Sequence, residues 1–264
     1  MRPTPYLSLA FLLACTLLVL LAPWLAPHGI NDIVGGNWDG PSSQAWLGTD
    51  NLGRDALSRL IFGTRTTLGL AALSTVLAFA TGGVLGLLAG LRGGYVDSAL
   101  SRINDVFMSI PTLVFALVVL SVVPPGATTV CLVVAALEAM RIFRVARALA
   151  ADAGALDYVE VARLRGEGSI ALIFREVLPN VAQPLVAELG LRLVFAVLLI
   201  STLSFLGLGM QPPATDWGSL AKENKDGVLF GVWAALIPGA AIASLSLSIN
   251  ALLDWISHRR EGTA

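Results

Sequence analysis

Charge is scarce in this chain. Of 264 residues, only 13% are Asp, Glu, Lys or Arg, while 56% are hydrophobic. Soluble domains carry nearer a quarter charged residues, so the polar surface is too small to cover a water-soluble globule. Net charge is -1, which leaves no field of one sign to draw nucleic acid. Lysine occurs twice, at Lys222 and Lys225, and neither stands in G-x-x-x-x-G-K-[ST]. The chain therefore has no P-loop with which to cradle and hydrolyse ATP. Histidine also occurs twice, at His28 and His258, far apart and without a second ligand at metal-site spacing. There is no H-E-x-x-H and no G-x-S-x-G, so metalloprotease and Ser/His hydrolase chemistry lack their residues. Cys15 and Cys131 each fall inside an apolar run, where packed thiols are expected and a disulfide framework is not. Catalytic, cofactor and metal sites are all expected to be absent. Transport, channel or structural roles remain.

What is present is long apolar runs. A helix needs ~20 apolar residues to cross hydrocarbon, and six candidates occur at about 6–26, 67–91, 106–123, 126–140, 181–206 and 228–253. The expected fold is an all-α membrane protein, a polytopic helical bundle of about six transmembrane helices. The second run is rich in glycine (Gly82, Gly83, Gly86, Gly90), which suits close helix packing in lipid. The basic residues set orientation. With the N-terminus in the cytoplasm, Arg2, Arg92, Arg102, Arg141, Arg144, Arg147, Arg163, Arg165, Arg175, Arg259 and Arg260 fall inside. Arg54, Arg59, Arg65, Lys222 and Lys225 fall outside. Both termini are then cytoplasmic.

Two outer segments exceed simple turns. In the first, Leu52, Ala56, Leu57, Leu60 and Ile61 have helical spacing, which predicts a short helix on the membrane surface. The second contains GLGMQPPATDWGSL, a structured turn region. Within the fifth run, Glu188 and Arg192 lie four residues apart on one helix face. Each alone is costly in lipid, so both should face the interior. They either line a path or form a mutual ion pair. Glu138 and Arg141 are expected to snorkel at an interface.

The stretch YVEVARLRGEGSIALIFREVLPN, residues 158–180, is a charged island between apolar runs. It belongs to a cytoplasmic connection of about 139–180, far longer than a plain joint requires. Asp157 is placed to cap a first helix, Gly166 and Gly168 break it, and Ser169 to Leu178 resumes. Ile170, Ile173, Phe174 and Val177 then fall on one face, and Pro179 is expected to stop the second helix. This is a helix-turn-helix with a face free for a partner.

Here the residues resemble a known family. Glu160-x-Ala162-x-x-x-Gly166, followed by Leu178-Pro179, is similar to the EAA loop of ABC importer permeases, with Val161 where the signature has its middle Ala. LGTDNLGRDALSRLIFGTR, GGYVD, LSFLGLGMQPPATDWG and, more loosely, INALLDW resemble blocks of the dipeptide/oligopeptide/nickel permease family, in order along nearly the whole chain. The resemblance implies the type I ABC importer permease fold and the role of second permease subunit. It divides the chain into an anchor and outer segment (1–65), a permease domain (66–254) and a cytoplasmic tail (255–264).

It also implies partners: a second permease, two ABC ATPases that use ATP and Mg, and an extracytoplasmic binding protein, in the inner membrane of a bacterium. The helix from Glu160 to Gly166 would be the coupling helix, with small Ala162 and Gly166 allowing close approach to an ATPase groove. The implied activity is peptide uptake by alternating access. Nickel-chelate, opine or sugar cargo is the alternative within the class. A secondary transporter or channel working without ATP, and a structural subunit, are the readings outside it.

Overall fold

The computed structural model describes residues 4–124 and 126–261. Arg2 lies outside the described residues, as do the side chains of His258, Arg259 and Arg260. The six apolar runs lie largely on helices. Residues 109–111 interrupt the third, and 228–236 of the sixth are short 3-10 turns and loop ahead of the helix at Ile237. Four or five spans therefore stand where about six were expected. Four helices are long and apolar enough to cross a membrane: Tyr6–Leu25, Ala56–Arg92, Ser169–Phe205 and Ile237–Ile256. A fifth is a bent pair, Gly94–Met108 with Thr112–Val122, turned through 81° at Ser109–Pro111. Pro111 explains the break, since the residue before a proline is pushed out of helical conformation. Helix α6 (Ala127–Gly154) contains the fourth run and continues past it. Its Glu138, Arg141, Arg144 and Arg147 make it less apolar than the others.

The chain forms two compact units. One comprises Met1–Ala72, Val119–Cys131 and Leu193–Ala264. Here α1 (Thr4–Leu25) packs along α11 (Ile237–Glu261), which also meets α10 (Trp217–Asn224). The expected surface helix does not exist separately: Ala56–Ala78 is one helix, α2, and Leu52 sits in the turn before it. The reason is a cap. The Asp55 carboxylate accepts from the backbone N–H of Leu57 at 3.3 Å and of Ser58 at 3.1 Å, which starts the helix at Ala56.

The outer segments of this unit are tied by buried ions. Asp50 accepts from Arg54 Nε at 2.7 Å and Arg59 Nη1 at 2.6 Å, and the same Nη1 reaches Glu223 Oε2 at 2.5 Å. Burial pushes the Asp50 carboxyl up. Hydrogen bonds from the Arg54 and Leu52 amides and the Arg59 guanidinium outweigh that and hold it below the ordinary carboxylate range. Asp216 is the contrast. It caps α10 by accepting from the Gly218 and Ser219 amides, while Ser219 Oγ accepts from the Asp216 amide. It is fully buried, and burial raises its carboxyl above the ordinary range, only partly offset by hydrogen bonds from Ser204, Ser219 and Gly218. Trp217 is buried beside it, its indole N–H donating to Thr64 Oγ1 at 3.2 Å.

The other unit comprises Leu73–Val118 and Leu132–Arg192. A π turn (Phe79–Gly83) leads into α3 (Val84–Arg92). A Cβ on Gly82, Gly86 or Gly90 would collide with the backbone carbonyls of Ala139, Phe143 and Arg147 on α6. The glycine stripe is therefore a close-packing seam, helix backbone against helix backbone. Asp97 on α4 (Gly94–Met108) takes both Nε and Nη2 of Arg147, a bidentate pair.

Candidate functional site

The charged connection folds as expected in outline. Helix α7 spans Asp157–Leu164. Its cap position is Leu156, extended and without a side-chain cap bond, so Asp157 is the first helical residue rather than the cap. There its carboxylate still meets the positive end of the helix dipole. Gly166 ends the helix at φ +83°, with Glu167 N–H donating to Ala162 O at 3.2 Å and Gly166 N–H to Arg163 O at 2.9 Å. This is a Schellman closure, which needs a left-handed residue at that place.

The chain then re-enters helix at α8 (Ser169–Ala171), passes a π turn (Leu172–Val177) and runs on as α9 (Leu178–Phe205). Pro179 does not stop it. A proline in a helix clashes with the carbonyl four residues back, here Arg175, and the widened π turn lies over that carbonyl.

The expected site residues divide by exposure. Glu160, Gly166 and Pro179 are exposed, and Leu178 is half-buried. Ala162 is fully buried, packed with Val159, Ile173 and Val177 against Leu87, Ala146 and Ala150. Its small side chain packs within the chain. The presumed amphipathic face splits likewise: Ile173 and Val177 enter this core, while Ile170 and Phe174 stay outside. Leu164 is 82% exposed, and Val161 and Leu156 are exposed beside it. The sequence reading overlooked Leu164, although its position two residues before the breaking glycine marks it as a helix tip.

Two arginines hold this loop. Arg163 Nη2 donates to the Leu91 carbonyl at 2.7 Å, at the last turn of α3, whose carbonyls lack partners along the helix. Arg92 Nε donates to Ser169 Oγ at 3.3 Å.

Inside the helices the ions form a second cluster. Arg192 Nε lies 2.7 Å from Glu188 Oε1, and its Nη1 lies 3.1 Å from Glu138 Oε2. Glu138 also pairs with Arg141 Nη1 at 2.6 Å, and Arg141 Nη2 donates to Thr112 Oγ1 at 2.7 Å. Glu138 is fully buried. It does not snorkel, because Arg141 and Arg192 neutralise it from two helices. Two acids and two bases sum to zero, and that makes burial tolerable. Glu188 and Arg192 are engaged with each other and, through Arg192, with Glu138.

Residues 82–262 match the family described as "Binding-protein-dependent transport system inner membrane component". The chain belongs to this family. It is 32% identical to the dipeptide transport system permease protein DppC of Haemophilus influenzae, over 95% of this chain and 87% of that one. It is 34% identical to the di/tripeptide transport system permease protein DppC of Pseudomonas aeruginosa, over 94% and 84%. The probable D,D-dipeptide transport system permease protein DdpC of Escherichia coli is 31% identical, over 96% and 86%. Among solved structures, a chain of the MetNI methionine ABC transporter in inward-facing conformations matches with TM-score 0.61 and 17% identity, over 77% of this chain and 96% of that one. That likeness is one of fold. The permease is thus a membrane-embedded component that works with other ABC subunits, and its exposed loop is the candidate contact with them.

Proposed function

We propose that this permease is the second membrane subunit of an ATP-driven importer of peptides in the bacterial inner membrane. One observation carries it: three relatives covering nearly all of the chain are named for dipeptide or di/tripeptide transport. A second permease completes the path, two ATPases bind the cytoplasmic loops, and a binding protein delivers cargo outside. ATP hydrolysis resides in those ATPases, since this sequence has no P-loop. The basic residues favour both termini and the 139–180 connection in the cytoplasm.

In this reading α7 is the coupling element. Glu160, Val161, Leu164 and the Gly166 turn meet the ATPase, with Ile170 and Phe174 beside them. Ala162, Arg163, Leu178 and Pro179 hold the element in shape from behind. Movement of the ATPase pair is carried into α9, which is continuous with the loop's second helix. Glu188 and Arg192 act as helix orienters within their cluster.

The test is purification of the transporter from its native membrane, identification of the bound chains, and uptake of a labelled tripeptide into vesicles. Two ATPase chains and uptake that needs ATP are expected. A complex with no ATPase, or uptake indifferent to ATP, overturns the proposal.

A further inference from the structure

Arg65 stands apart from the other arginines near the outer segments. Arg54 and Arg59 are locked into ion pairs. Arg65 is exposed and has no hydrogen-bond or ion-pair partner among the described residues. It faces a groove of about 420 Å³ within the first unit, in the ~300–1,000 Å³ range of small-molecule sites. One face of α2 forms the floor: Phe62, Arg65, Thr66, Gly69 and Leu70, at i, i+3, i+4, i+7 and i+8. Thr215, from the segment before α10, also lines the groove, its buried hydroxyl paired with Ser219 Oγ at 3.3 Å, and no acid lines it among the described residues. Gly69 leaves space there, since a Cβ built on it would touch nothing within 4 Å.

The groove thus offers one unneutralised guanidinium and apolar walls, since the Thr66 hydroxyl already donates to the Phe62 carbonyl at 3.3 Å. A cation without a partner at the mouth of an apolar helix is costly unless it meets water or an anion. A planar guanidinium matches a carboxylate in a bidentate fork. Every linear peptide ends in one carboxylate whatever its side chains, and the apolar walls discriminate little among those side chains. Arg65 also lies outside the residues matched by the family model.

We infer that the Arg65 groove is an entry site that holds the terminal carboxylate of the cargo as it enters from the outer side. This rests on the peptide-importer reading.

The experiment uses the assembled transporter reconstituted without binding protein in zwitterionic lipid, with Gly69→Cys as reporter. Cys15 and Cys131 are buried, so the parent transporter measures the background. The rate of thiol labelling is followed with trialanine as the free acid or the C-terminal amide, up to about 10 mM. The free acid is expected to slow labelling about tenfold and the amide not at all, as for loss of one charge-assisted hydrogen bond. Arg65→Gln abolishes that protection, and Arg65→Lys, which keeps the charge, retains part of it.

Equal protection by acid and amide, or none by either, overturns the site. So does protection that appears only on adding anionic lipid, which makes Arg65 a headgroup anchor. Uptake of trialanine by the same vesicles, with binding protein and ATP added, is scored separately. Uptake without protection defeats the groove alone. Protection without ATP-driven uptake defeats the importer reading.

Discussion

Arg192 on α9 reaches Glu138 on α6, Nη1 to Oε2 at 3.1 Å, and Arg141 approaches the same carboxylate from the other side at 2.6 Å. One buried acid thus serves two cations. Removing its charge leaves Arg141 without a carboxylate and Arg192 with Glu188 alone, and breaking a buried pair costs about 3–5 kcal/mol. Glu138→Gln should therefore strongly lower the thermal midpoint of the purified permease. Glu188→Gln should cost less, because Arg192 keeps Glu138. Equal midpoints for Glu138→Gln and the parent would show that the cluster does not hold the helices.

Arg163 fixes α7 by donating to the Leu91 carbonyl. A hydrogen bond from a charged donor is worth about 1.5–3 kcal/mol, enough to loosen a two-turn helix without unfolding the chain. Arg163→Met should keep ATPase assembly and ATP turnover while transport per ATP falls. The readout is the ratio of uptake to hydrolysis in vesicles. An unchanged ratio would remove Arg163 from the coupling geometry.

Leu164 is the apolar tip of α7 and touches little of its own chain. Leu164→Asp should weaken ATPase binding at least tenfold, as for a central interface anchor, with little change in the permease's own thermal midpoint. Pull-down of the ATPases at graded concentration measures it. Full retention of binding would place the contact elsewhere on the loop.

Asp50 and Asp216 should give opposite pH signatures. Asp50 has a folded pKa below its unfolded one, so its stabilisation is present above the unfolded value and is lost as pH falls through the folded value. Asp216 has a folded pKa above its unfolded one. The folded state then holds the extra proton, and stability falls as pH rises from the unfolded pKa, ~3.9, towards the folded one. Asn still caps a helix, so Asp216→Asn should raise the thermal midpoint at pH 7, with the gain vanishing near pH ~4. Asp50→Asn should lower it at pH 7 by leaving Arg59 short of a partner, and the deficit should shrink in acid. Midpoints from about pH 2 to about pH 8, which span the range below the ordinary carboxylate value, decide both.

Composition alone was enough to read a helical membrane protein, although the third run is broken at 109–111 and the sixth becomes a long helix only at Ile237. Element ends were less legible. Asp55 and its two amide bonds moved the start of α2 to Ala56, a cap hidden inside a segment that reads as an amphipathic surface helix. Pro179 reads as a stop, and only the π turn over Arg175 shows how the helix passes it. The exposed part of the loop was visible as a pattern, yet period alone could not say which side of α7 faces in. Ala162 reads as a contact residue because it is small, and only the structure shows that it lies in the buried cluster that also holds Leu87 and Ala150. Glu138 was misread because its two partners lie 3 and 54 residues away, and only the nearer pair has a sequence signature.

The glycine seam between α3 and α6 limits what this chain can become. Gly82, Gly86 and Gly90 each lie against a carbonyl of the opposing helix, and every other amino acid has at least a Cβ. No single replacement at these positions keeps the helix spacing, so that spacing can be lost from α3 but not adjusted from it. Any variant that tunes how tightly the two helices sit must carry its change on α6, at Ala139, Ala146 or Ala150.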